Sequence, residues 1–364
     1  MLAELCAGAT LLALIAYGVL GGADFGGGVW DVFARGPRKK EQREAIARAM
    51  GPVWEANHVW LIFVIVLLFT VFPRVFYAVS VGLFVPFHLV LVGITLRGAA
   101  FAFRSHEAHA THDAGERTAA WGVVFGIASI ITPVLLGMCF GAVTTGGLRI
   151  DGERVWFESG STPWLTLFSL CMGCAALSLF AYLAAVFLCL ETSGALQEDF
   201  RRRALAAGTV VVIGASLTIP LAYFQARHLW IGLISVRAAP VVLAGGVAAL
   251  TSGWALWRRR YRLSRLATVL QVALLLVGWA AAQYPYIIYP DLSLATAQPD
   301  PVTMRFVLWT LPFGAALLGP SLWFLFKVFK GAPPAQRLRR AQAEVPEGDG
   351  GEHQQRDDRD QQKG

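Results

Sequence analysis

Charge is scarce in this chain: only 15% of its 364 residues are Asp, Glu, Lys or Arg, against roughly 25% in soluble domains. No polar, basic, aromatic-interleaved module is present that could hold a nucleic acid. Strand-like alternation of apolar and polar residues is missing, which argues against a membrane β-barrel. Cysteine is sparse, with Cys6, Cys139, Cys171, Cys174 and Cys189 all inside apolar runs. Cys171 and Cys174 form a CxxC, but no histidine follows it, so neither a zinc site nor a disulfide framework is indicated. The start, Met-Leu-Ala-Glu, lacks the basic region of a secretory signal, and its apolar run is too long for a cleaved one. It reads as a permanent first span.

What the chain has in abundance is hydrophobic length, with 56% apolar residues and a mean hydropathy of +0.55. Apolar runs of about 18 residues or more read as membrane spans. In lipid every backbone polar group needs an internal partner, so these runs should be helices. The pattern predicts an all-α membrane protein of about nine spans, near residues 5–33, 56–76, 78–103, 119–143, 164–191, 204–225, 238–257, 266–284 and 304–330. Residues 1–330 form the transmembrane domain, and the Pro-, Gly-, Gln- and charge-rich stretch 331–364 is expected to be a disordered tail. Residues 37–50 (PRKKEQREAIARAM) are expected as a short amphipathic surface helix opened by Pro37.

Basic residues alternate between loops. Arg35, Arg38, Lys39, Lys40, Arg43 and Arg48 follow the first span, Arg201–Arg203 the fifth, Arg258, Arg259, Arg260, Arg262 and Arg265 the seventh, and Lys327, Lys330, Arg337, Arg339 and Arg340 the last. The opposite loops hold only Arg74, Arg149, Arg154, Arg227, Arg237 and Arg305. The positive-inside rule then places the N-terminus outside, in the periplasm, and the C-terminus in the cytoplasm. Gly18, Gly22 and Gly26 recur every fourth residue in the first span, the spacing that admits a close neighbouring helix.

Ionisable side chains at membrane depth are costly and therefore candidates for function. The short set comprises Asp24 and Asp31 in the first span, Glu55 and His58 at the start of the second, and His88 and Arg97 in the third. Two desolvated carboxylates, Asp24 and Glu55, on the inner side could form a proton-entry path. Equally, Asp24 could pair with Arg97 as a structural ion pair while Glu55 caps its helix. Glu55 and His58 spell Glu-x-x-His, but a di-iron bundle needs a second such motif and further glutamates. His58 and His88 could in principle ligate a haem across two helices, and His106, His109 and His112 could bind a metal weakly. For each, a packing or solvated role is the simpler reading.

The stretches AYGVLGGADFGGGVWDVF, GPVWEANHVWLI and LRGAAFAFR, with the late QYPYIIYPDLSL, resemble subunit II of the cytochrome bd quinol oxidases. The resemblance spans the whole chain, and Pro52, Trp54, Asn57, Val59, Trp60 and Leu61 carry its most specific part. It implies the haem-free second subunit of a quinol:O2 oxidoreductase in the bacterial inner membrane. The haem-bearing partner, subunit I, would hold haem b, haem d (or a third haem b) and the quinol site, and a small single-helix subunit can join the pair. No cofactor or metal is expected on this chain. The resemblance makes Glu55 the proton-relay carboxylate, with Trp54, Asn57, His58 and Trp60 shaping its surroundings and Asp24 and Arg97 fixing the first helix against the third. The sequence departs from the family pattern where Glu55 replaces an aspartate, GGAD replaces DGFD, Ala102 replaces an acidic residue and His58 replaces Gln or Glu. A secondary transporter, or a scaffold without a proton role, remains the alternative.

Overall fold

The computed structural model describes residues 1–107, 115–158 and 162–329, without the side chains of 50–55, 104–107, 115–119 and 325–329. Two compact units divide the chain, Met1–Phe313 and Gly314–Gly364. The described part of the second unit, through Phe329, is helical. The expected tail 331–364 lies outside the described residues.

The first unit begins with α1 (Leu2–Val32), α2 (Lys39–Val71), α3 (Pro73–Gly82), α4 (Phe84–Glu107) and α5 (Gly115–Thr145). A hairpin of β1 (Leu148–Asp151) and β2 (Arg154–Phe157) and a 3-10 turn (Pro163–Leu165) lead to α6 (Leu167–Glu191) and α7 (Gly194–Gln225). Then come α8 (Arg227–Leu233), α9 (Ala239–Trp257), α10 (Tyr261–Gln283), a second hairpin of β3 (Tyr286–Ile288) and β4 (Leu292–Ser293), and α11 (Pro301–Phe329). Among the described residues eight helices are long and apolar enough to cross a membrane, or nine if the bent pair Ala56–Val71 and Pro73–Gly82 counts as one span.

The bend in that pair corrects the expected uninterrupted run 56–76. Its two pieces meet at 117°. Proline disfavours the helical conformation in the residue before it, and Phe72, preceding Pro73, sits at φ −129°, ψ 59°. Pro73 then opens the new helix, where its missing N–H costs nothing. The expected third span starts six residues late, at Phe84. Pro133 and Pro220 sit inside α5 and α7 without ending them.

Two segments expected between spans extend the spans instead. Residues 39–50 are not a separate surface helix but the first turns of α2, continuous with its apolar part. Likewise α7 starts at Gly194 and carries Arg201–Arg203 on its first turns. The reason is side-chain anchoring at that end. Phe200 is fully buried. Asp199 accepts from Arg38 Nε at 2.8 Å and from Arg38 Nη2 at 2.7 Å. Gln42 donates to Asp199 at 3.2 Å, and Arg203 donates to Gln42 at 2.7 Å and to the Phe33 carbonyl at 3.2 Å.

The two hairpins were not foreseen. They gather at the other end, where Tyr284 donates to Glu4 at 3.1 Å and Arg74 to the Thr296 carbonyl at 3.1 Å. Helix α1 is the hub, packing against α2, α5, α6 and α10. Its expected glycine face is real: a Cβ on Gly26 would lie 1.9 Å from the Phe180 carbonyl oxygen. Only a glycine lets the α1 and α6 backbones approach so closely.

Candidate functional site

Four helices meet around one buried guanidinium. Asp24 on α1, Asn57 on α2, Arg97 on α4 and Ser129 on α5 are each at most 3% exposed. Arg97 Nη1 donates to Asp24 Oδ2, and Nη2 donates to Asp24 Oδ1 and to the Asp24 carbonyl, both at 2.7 Å. Arg97 Nε donates to Ser129 Oγ at 2.9 Å, and Ser129 in turn donates to the Phe125 carbonyl at 2.7 Å. The planar fork of arginine suits this bidentate grip, and a lysine could not reproduce it. Phe25 and Phe125 hold the guanidinium carbon between their rings, at 4.8 and 4.9 Å from the centroids. These faces add cation–π attraction in a desolvated site.

Room for the arrangement comes from α1. A Cβ at Gly28 would stand 2.1 Å from Ser129 Oγ, so any larger residue would push α5 off the pair. Asn57 Nδ2 completes the cluster with a long bond of 3.4 Å to Asp24. A Cβ at Gly21 would meet Asn57 Oδ1 at 2.8 Å and the Tyr17 ring at 3.2 Å, so those two side chains lie together over Gly21. Asn57 Oδ1, the Tyr17 hydroxyl and Trp60 Nε1 are buried and have no hydrogen-bond partner among the described residues.

The sequence-derived candidates therefore divide. Asp24, Arg97 and Asn57 come together, and the ion-pair reading of Asp24 is the geometry found. His58 and Trp60 are half-buried on α2, with Trp60 edge-on to Phe63 at 6.3 Å. Glu55 and Trp54 belong to α2, but their side chains lie outside the described residues. Asp31 is buried, 3.6 Å from Arg43 Nε.

His58 and His88 do not assemble a pair of axial ligands. His88 is exposed and holds the Phe84 carbonyl at 2.7 Å through Nδ1, and its helix packs chiefly on α5, whereas α2 packs on α1. The side chain of His106, and His109 and His112 entirely, lie outside the described residues. Among the described residues no group of three or more His, Cys, Asp or Glu side chains is close enough to hold a metal ion.

Sequence reasoning missed Ser129, Phe25 and Phe125. A serine in the middle of the apolar run 119–143 was the available signal for the first. The rings carry none, because phenylalanine is common in every span.

Comparison with known proteins bears on the whole chain. Residues 2–329 match the family model described as cytochrome bd terminal oxidase subunit II. A provisionally named cytochrome bd menaquinol oxidase subunit II of Bacillus subtilis (strain 168) is 24% identical over 328 residues, covering 86% of this chain and 91% of that one. A cytochrome bd ubiquinol oxidase subunit 2 of the same organism is 29% identical over 206 residues, 57% of this chain and 58% of its relative. The solved structure of bd oxidase from Geobacillus thermodenitrificans superposes with a TM-score of 0.75 at 23% identity, covering 90% of this chain and 98% of that one, which establishes the shared fold. With the membrane helices described above, these matches make the chain a multi-pass membrane protein that belongs to the cytochrome bd terminal oxidase subunit II family, whose members are subunits of a haem-containing respiratory quinol oxidase.

Proposed function

We propose that this chain is the haem-free subunit of the oxidase, that it supports assembly with the haem-bearing subunit, and that it carries protons from the cytoplasm to the oxygen-reducing haem through Glu55. The N-terminus lies outside and the C-terminus in the cytoplasm, following the concentration of basic residues at one end of the bundle. Quinol oxidation and oxygen reduction belong to haems of the partner subunit. This chain's own part is a protonatable group kept at membrane depth on the inner side.

One observation carries the reading: Asn57, two residues beyond Glu55 on α2, is buried and bonded to the Asp24–Arg97 pair. The ion pair gives α2 a fixed rotation against α1. Arg97 already serves Asp24 on both carboxylate oxygens. The partnerless polar atoms of Tyr17, Asn57 and Trp60 are groups that buried water commonly satisfies. Asp24, engaged on both oxygens, acts as a structural anchor.

Glu55→Gln, produced with the partner subunit, is the test. Loss of a proton-transfer group typically lowers rates by about 100-fold or more, so oxygen consumption should fall on that order while the haem absorption spectrum stays at wild-type intensity. Normal oxygen consumption with full haem content would reject the relay and leave the scaffold role. Absent haem with intact membrane insertion would point to assembly alone.

A further inference from the structure

At the α9–α10 turn five arginines fall within eight residues, RRRYRLSR over 258–265, with no acidic residue among them. The turn is rigidly seated. Beneath it Ser252 Oγ lies 2.6 Å from the Tyr182 hydroxyl and 2.6 Å from Thr268 Oγ1, a fully buried network joining α6, α9 and α10. Arg260 N–H closes the end of α9 on the Ala255 carbonyl at 2.7 Å. Arg259 takes a left-handed conformation, φ 61°, at a position that favours glycine. Its side chain explains the exception by reaching Glu198 of α7 at 3.4 Å. Arg265 reaches Glu191 at 3.5 Å and covers the Phe187 ring at 4.5 Å.

Two of the five are thus used within the protein. Arg258, Arg260 and Arg262 are exposed and have no carboxylate partner among the described residues. Arg258 lies over the Trp257 ring and Arg260 over Trp254, each 5.3 Å from the centroid. Those tryptophans are 63% and 44% exposed, and Leu263 and Leu266 next to them are 37% and 69% exposed. The turn sits where the apolar spans of α9 and α10 end, the level at which tryptophan meets lipid headgroups.

We propose that this turn is a binding site for an anionic phospholipid. Arg258, Arg260 and Arg262 take the headgroup phosphate, and Trp254, Trp257, Leu263 and Leu266 carry the upper acyl chain. Stacking on tryptophan holds two guanidiniums in place before the lipid arrives. The contrast with the α2–α7 end is informative, because there Arg38 and Arg203 are spent on Asp199, Gln42 and Phe33. Setting membrane topology needs positive charge only and would be served equally by lysines without tryptophans. The planar fork of arginine binds a headgroup phosphate bidentately, where lysine offers only a point charge.

The test uses the assembled oxidase purified in detergent, titrated with dioleoyl phosphatidylglycerol or dioleoyl phosphatidylcholine and read by native mass spectrometry as bound lipid. Wild type should prefer the anionic lipid. Each basic residue near an anionic headgroup contributes about fivefold, so the triple variant Arg258→Gln, Arg260→Gln, Arg262→Gln should lose roughly 100-fold of that preference. A control removing the same charge elsewhere, Lys39→Gln, Lys40→Gln, Arg48→Gln, should keep it. The triple lysine variant preserves charge and insertion, and its preference should fall between those of wild type and the glutamine variant. If the glutamine variant does not accumulate, the lysine variant decides. An unchanged preference in either arginine variant, or an equal loss in the control, would overturn the site. Competition by inorganic phosphate as effective as the lipid would identify a free-anion site and overturn it as well.

Discussion

Two arginine–aspartate pairs, one in the middle of the bundle and one at its hairpin end, use the same chemistry in opposite settings. Arg97–Asp24 is at most 3% exposed on either side chain and draws in four helices. Arg149 donates to Asp291 through Nε at 2.9 Å and Nη2 at 3.1 Å, with 25% and 19% of the side chains exposed, and it joins two hairpins. Asp291 also accepts from Ile150 N–H at 2.8 Å, and Glu158 stands 3.3 Å from Arg149. Hydrogen bonding to Asp291 pushes the Arg149 pKa above its ordinary value. Water and salt screen the pair. The buried pair has no such screening, and removing one member strands the other in an apolar core. The lesson is that a single ion pair matters here according to depth, not according to hydrogen-bond length.

The largest effect should come from Arg97→Met. Leaving Asp24 without its partner should destabilise the protein by about 3–5 kcal/mol, seen as loss of assembled oxidase from detergent extracts. The double variant Asp24→Asn with Arg97→Met should recover part of that loss, because no buried charge remains. If the double variant behaves as the sum of the two singles, the pair is not coupled as described. Next comes Gly28→Ala, whose Cβ would collide with Ser129. Overpacking of this kind costs about 1–3 kcal/mol, read as a lower thermal inactivation temperature of the oxidase. The smallest effect should be that of Arg149→Gln, below about 1 kcal/mol and shrinking further in high salt. A loss at Arg149 as large as that at Arg97 would erase the contrast between the two sites.

The distance between legible and illegible features follows the same division. Asp24 and Arg97 were recoverable from sequence because a charge in an apolar run is conspicuous, and Asn57 came only through the family resemblance. Their mutual contact was one of two open readings, since spacing along a helix says nothing about which neighbour it faces. Ser129 and the flanking phenylalanines escaped because nothing local separates them from ordinary span residues. The bend at Phe72 was readable in principle from Pro73, yet the hydropathy on both sides ran through it without a break. The helical start of α7 was hidden because its arginines look like a loop until Phe200 and Asp199 are seen to be anchored.

By itself the sequence determined that the chain is a bundle of membrane helices, where nearly all of them lie, and that Asp24 and Arg97 fall at membrane depth. Hydrophobicity is a sum over neighbours along the chain and needs no partner to be read. Only the tertiary structure decided that Asp24 meets Arg97 across 73 residues, that Gly26 and Gly28 make way for Phe180 and Ser129, and that Arg259 twists to reach Glu198. Those outcomes depend on the rotation and depth of each helix against the next, which packing fixes and no single segment encodes.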